Sequence, residues 1–103
     1  MRIGIFGGSF DPIHHAHLIV AQLAREQLAL DQVRFVVANA QPFKQGMHQA
    51  AGEVRARMVA LAIASVPAFV VDDRELHRPG PSYTVDSLTE ILAEFRGAEL
   101  VLL

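Results

Sequence analysis

The chain has 103 residues, 51% hydrophobic and 19% charged, with a formal net charge of −2 and no cysteine. That is the composition of one small core-forming domain rather than a disordered chain, and a chain this short buries only about two-thirds of its unfolded surface. The charge gives no basic excess for nucleic acid or a membrane surface, no apolar run reaches spanning length, and disulfides and thiolate chemistry are excluded.

"RIGIF", residues 2–6, is a short β-branched run ended by Gly7-Gly8 and predicts a buried strand. It starts too close to the first residue to leave room for a signal peptide, so a cytoplasmic location is expected. From about residue 15 to 29 the pattern is helical, with Val20, Ala24 and Leu28 at i, i+4, i+8 and Ile19 and Leu23 beside them. "VRFVVA" predicts a second strand from Val33, and residues 39–52 a long loop rich in breakers. Residues 53–65 predict a second helix with Val54, Met58, Leu61, Ala62 and Ser65 on one face; its Arg55 and Arg57 fall on the polar side and are expected in solvent.

"AFVV" predicts a third strand, closed by Asp72-Asp73, and "RELHRPGPS" a loop punctuated by Pro79-Gly80-Pro81. Asp72, Asp73, His77 and Arg78 are expected at the strand end and loop surface, with their place near the sheet's carboxyl edge keeping them as secondary site candidates. Ser82 or Thr84 can cap a third helix carrying Val85, Leu88, Leu92 and Phe95. Gly97 ends that helix, and "ELVLL" predicts a fourth strand. The order β-α-β-α-β-α-β implies an α/β parallel sheet with right-handed crossovers, and the continuous apolar runs suit a sheet covered on both faces. A final strand apolar on both faces wants a neighbour, so self-association through its edge is expected unless further chain covers it.

The chemistry-bearing stretch is "GGSFDPIHHAH", residues 7–17. It lies at the carboxyl end of the first strand, where ligands of open parallel sheets bind. Glycines let backbone approach a ligand, and a helix starting near His14 or His15 directs free N–H groups into the same space, as an anion site requires. His14 and His17 share one face of the first helical turn, and two imidazoles there can donate to phosphate oxygens. Surface histidines that merely cap the helix are the plain alternative. A zinc site is disfavoured because His14 and His17 supply only two ligands. Asp11 reads as a turn-former beside Pro12. The GxGxxG and GxxxxGK[ST] patterns are both missing.

"GGSFDPIHHAH" resembles the GG[ST]FDPxHxGH signature of the HxGH nucleotidyltransferase superfamily, with Ala16 where that family usually has glycine. "ANAQPFK", residues 38–44, and "RELHRPGPSYTVDSL", residues 74–88, resemble two further segments of bacterial nicotinate-mononucleotide adenylyltransferases, in the expected order. The resemblance covers essentially the whole chain. It implies a Rossmann-like sheet of order 3-2-1-4 and adenylyl transfer from ATP, with Mg²⁺, to nicotinate mononucleotide. It further implies that Gly8, Ser9, Phe10, His14 and His17 hold the ATP phosphates, and that Ser9, Lys44, Tyr83 and Thr84 serve the mononucleotide. Family members continue past the fourth strand into a tryptophan-bearing segment and a late serine–arginine phosphate motif; this chain has no tryptophan. The resemblance thus implies that residues 1–103 are a single domain ending after strand four, the N-terminal half of such an enzyme. A half-domain that binds phosphate or nucleotide weakly without turnover is the competing expectation.

Overall fold

A computed structural model describes residues 1–39 and 50–103. Strands β1 (Arg2–Gly8), β2 (Gln32–Val37), β3 (Phe69–Asp72) and β4 (Glu99–Leu102) alternate with helices α1 (His15–Gln27), α2 (Gly52–Ile63) and α3 (Thr84–Glu94), and a short 3-10 helix, Arg74–His77, follows β3. The strands form one sheet of order β3-β2-β1-β4. Every neighbouring pair is parallel, so all four carboxyl ends share one rim. The α/β alternation and the 3-2-1-4 order are therefore as expected. β1 runs through Gly7 and Gly8, which pair with Val36 and Val37, rather than ending before them.

Period-two alternation distributes the core between two faces. Val33, Phe35 and Val37 of β2 pack with Ala21 of α1 and with Val59 and Ile63 of α2. Ile3 and Ile5 of β1 and Val36 of β2 pack on the other face against Ile91 of α3. Burying such a side chain fully stabilises the fold by about 1.5–3 kcal/mol relative to leaving it exposed. Gly4 permits the close approach of the connection after α1: a Cβ there would lie 2.7 Å from Leu30 Cδ1.

All three helix faces differ from the sequence reading: in α3 the buried residues are Ser87 and Ile91, with Leu88 and Phe95 packed at the core edge and Val85 and Leu92 exposed. In α1 the buried residue is Ala21, with Leu18 and Ala24 packed at the core edge, whereas Ile19, Val20 and Leu23 are exposed. The small Ala21 side chain lets the helix axis sit close to the sheet, and the bulky row turns outward. In α2 the buried row is Arg55, Val59 and Ile63, while Val54 and Leu61 are exposed, Leu61 by 77%. The row lies one residue away from the apolar stripe because an arginine, counted as polar, belongs to it.

Candidate functional site

The segment after β1 turns at Asp11-Pro12 and enters α1 with His14 as N-cap. Phe10 adopts φ 49° in the left-handed region, at a cost of about 1–3 kcal/mol for a non-glycine residue. Its ring is only 2% exposed and packs against Phe6, Phe35 and His17, with the His17 ring 5.1 Å away and steeply inclined. The Phe10 side chain is therefore core, and only backbone remains to line a surface there. Asp11 sits in the turn, and its carboxylate accepts the Ala50 N–H at 3.3 Å.

His14 and His17 are brought together, with ring centroids 4.1 Å apart. The Ala16 N–H donates to His14 Nδ1 at 3.3 Å and the His14 N–H to His17 Nδ1 at 3.0 Å, a reciprocal capping box. Amides expected to be free at this helix start are thus already taken by imidazoles. A backbone N–H is an obligate donor, so each Nδ1 must be unprotonated. In the neutral rings the proton then sits on Nε2, and both side chains are Nε2–H donors. Burial, and then the neighbouring His14, hold the His17 pKa below its ordinary value. His15 is exposed and apart from this pair. Among the described residues no group of three or more His, Cys, Asp or Glu is placed to hold a metal ion.

Beside this turn a cleft of about 340 Å³ opens at the carboxyl rim, lined among others by Gly7, Gly8, Ala38, Glu75, Ser82 and Thr84. A Cβ on Gly7 would meet nothing within 4 Å, so the cleft floor there is bare backbone. Ser87 Oγ donates to the Glu75 carboxylate at 2.6 Å and accepts from Arg78 at 3.1 Å. The Asn39 side-chain amide donates to the Arg78 carbonyl at 3.4 Å. Strand β2, the 3-10 helix and α3 are thereby stitched into one wall. Arg78 was a candidate only by its place near the carboxyl edge, and Glu75 and Ser87 were not candidates from sequence; a serine four residues before Ile91 on the buried row of α3 was the available signal.

α3 begins without a side-chain cap: Tyr83 is its N-cap, and the Ser82 hydroxyl instead reaches the Glu75 carbonyl at 3.5 Å. The capping role expected of Ser82 or Thr84 is therefore not used. Thr84 lines the cleft, whereas Tyr83 is 62% exposed. The histidine pair does not line this cleft; His14 borders a neighbouring hollow with Ile13, His15, Leu18 and Ala62. Lys44 lies outside the described residues.

Two residues read as solvated are buried. Arg55 is 2% exposed, because three backbone carbonyls take up its donors. Asp72 is buried because Arg34 and Arg74 both pair with it, at 2.9 and 2.8 Å.

Residues 5–101 match the protein-family model described as cytidylyltransferase-like. The chain belongs to this family. Among relatives, a probable nicotinate-nucleotide adenylyltransferase of Thermus thermophilus is 54% identical over 100 residues, which is 97% of this chain and 53% of that protein. One from Thermomicrobium roseum is 48% identical over 102 residues, 99% of this chain and 48% of that protein. The chain spans about half the length of the curated relatives it matches. The solved Plasmodium falciparum nicotinic acid mononucleotide adenylyltransferase complexed with NaAD superposes with a TM-score of 0.80 at 22% identity, over 98% of this chain and 50% of that one. At that identity the likeness concerns the fold, which is thus the cytidylyltransferase-like one. No helix among the described residues is long and apolar enough to cross a membrane.

Proposed function

We propose that this chain serves adenylyl transfer from ATP to nicotinate mononucleotide, giving deamido-NAD and pyrophosphate. A phosphate oxygen of the mononucleotide forms a bond to the α-phosphorus of ATP. The bond from that phosphorus to the bridging oxygen breaks, and the electron pair leaves with pyrophosphate. The attacking oxygen is already anionic, so no general base is required, and the work left to the protein is positioning and charge stabilisation.

The observation that carries this reading is the close His14–His17 pair at the start of α1, each ring tied by Nδ1 to a backbone N–H. Two Nε2–H donors one helical turn apart suit the oxygens of a triphosphate. In this reading Gly8, Ser9 and Phe10 contribute backbone, and Ser9 its hydroxyl, to the floor between the nucleotides. Thr84 and the uncapped first amides of α3 receive the nicotinate carboxylate, with Tyr83 beside the pyridine ring and Lys44 supplying positive charge. Mg²⁺ arrives on the triphosphate, as part of the substrate; a donor-rich pair of rings fits phosphate oxygens and leaves the ion to the phosphates and water. The names of the relatives support the substrate pair.

The test is pyrophosphate release with ATP, nicotinate mononucleotide and Mg²⁺. Turnover that disappears in His17→Ala supports the assignment; turnover unchanged in a folded His17→Ala overturns it. A second reading follows from the histidine pair lying outside the cleft: phosphate is bound weakly and nothing is turned over. Triphosphate binding without pyrophosphate release would select that reading.

A further inference from the structure

We infer that Arg55 is a positioning residue: its guanidinium sets the backbone of the turn that aims His17. The inference rests on the phosphate-binding reading of that turn for its functional meaning, but not for its geometry. Arg55 Nε donates to the Ala50 carbonyl at 2.9 Å, and its Nη1 donates to both the Ser9 and Ala38 carbonyls at 2.8 Å. The three acceptors belong to three segments that converge on the rim: the turn after β1, the residue after β2 and the approach to α2. The Ala38 N–H in turn donates to the Gly8 carbonyl at 2.8 Å, and the Asp11 carboxylate accepts from Ala50. The two ends of the turn, Ser9 and Asp11, are thus both referred to the same fork.

From Ser9 the connection to the imidazole is short. Phe10 follows, held at φ 49°, and its ring packs on His17. A strained residue keeps its conformation only where its surroundings over-determine it. Here the preceding carbonyl is fixed by Arg55 and the ring by the core. Asp11 acts on Arg55 through space, but no carboxylate among the described residues pairs with it at ion-pair distance, and burying a cation without an ion pair costs several kcal/mol before hydrogen bonds offset it. An apolar residue would fill the space at lower cost, but only a planar fork with several donors can hold diverging carbonyls together.

The test uses the whole chain with histidine rings isotopically labelled. Arg55→Gln is compared with Arg57→Gln, an exposed arginine on the same helix. In Arg55→Gln the His17 ring signals shift. Affinity for inorganic tripolyphosphate, measured by calorimetry where the variant is fully folded, falls about tenfold, as expected for a misplaced ligand group. Arg57→Gln changes neither. Should Arg55→Gln not fold, Arg55→Lys, which keeps the charge and loses the fork, carries the same expectation. A folded Arg55 variant with unmoved His17 signals and unchanged affinity overturns the inference. If the wild-type chain binds no tripolyphosphate, the phosphate reading fails, and the His17 ring signals still decide the role of Arg55.

Discussion

Replacing Asp72 by asparagine keeps the shape of the side chain and removes its charge. Asp72 accepts from Arg34 Nε at 2.9 Å, from Arg74 Nε at 2.8 Å and from the Arg74 backbone N–H at 3.1 Å. Taking away one partner of a buried ion pair costs about 3–5 kcal/mol. The lower end applies here, because neither arginine is left unpartnered. Arg74 keeps Glu94, and Arg34 keeps the Gln32 side chain at 2.9 Å and the face of the Phe95 ring at 5.2 Å. The expected loss is therefore about 3 kcal/mol at pH 7, a large share of the roughly 5–15 kcal/mol that holds a domain together. The chain has no tryptophan, and its one tyrosine is exposed, so urea unfolding followed by far-ultraviolet circular dichroism is the suitable assay.

The same comparison has a pH signature. Burial by itself raises the Asp72 pKa, but hydrogen bonds from Arg74 and Arg34 outweigh it and hold the carboxyl below its ordinary 3.8. A carboxyl depressed on folding contributes stability that is fully present above its unfolded pKa and is lost as pH falls through the folded one. The gap between wild type and Asp72→Asn should therefore be full at pH 7 and narrow only below the ordinary carboxyl range. A variant within about 0.5 kcal/mol of wild type at pH 7, the usual range for a surface substitution, would refute the reasoning. So would a gap that does not shrink in acid. Arg74 opens the 3-10 helix that carries Glu75, so the substitution should also loosen the cleft wall.

Four further outcomes are expected. Tripolyphosphate affinity relative to His17→Ala should rise as pH falls below the ordinary histidine value of 6.5, because the free protein holds the His17 pKa below that value and an anion favours its charged form; a calorimetric ratio that stays flat from pH 8 to about 5 would count against phosphate contact by His17. In the absence of anion the sign reverses for stability: a histidine with lowered pKa binds fewer protons folded than unfolded, so its contribution declines as pH falls through 6.5 toward the folded value, a slope that His17→Ala should flatten in urea titrations. Gly4→Ala should destabilise by about 1–2 kcal/mol, since its Cβ would meet Leu30 at 2.7 Å and Leu103 at 3.3 Å; an unchanged urea midpoint would show that Leu30 moves aside freely. The outer edge of β4, with Leu102 exposed, should pair between copies, and light scattering that reports only monomer at high concentration would exclude it.

Local pattern and tertiary context divide this protein between them. The strands were legible because a doubly covered parallel strand must be largely apolar, and β2 buries Val33, Phe35, Val36 and Val37, with Arg34 the one charge within it, met by Asp72. The signature turn was legible because glycine, proline and histidine types at fixed offsets are demanded by local backbone and hydrogen-bond geometry. Which face of each amphipathic helix meets the sheet was not legible. Apolar residues occupy more than one face of α1, and only the packed sheet selects Ala21 over Leu23.

The buried charges lay further out of reach. Arg55 is inside because carbonyls of Ser9, Ala38 and Ala50 converge on it, and Asp72 because Arg34 and Arg74 do. A charged side chain is buried only where its partners gather, and those partners are up to 46 residues away along the chain. The sequence alone determined the order of elements and the chemistry offered at the first turn, since both depend on neighbours in the chain. The tertiary structure decided which charges lie inside and what orients the histidine pair, since desolvation and hydrogen bonding across distant segments exist only once the chain has folded.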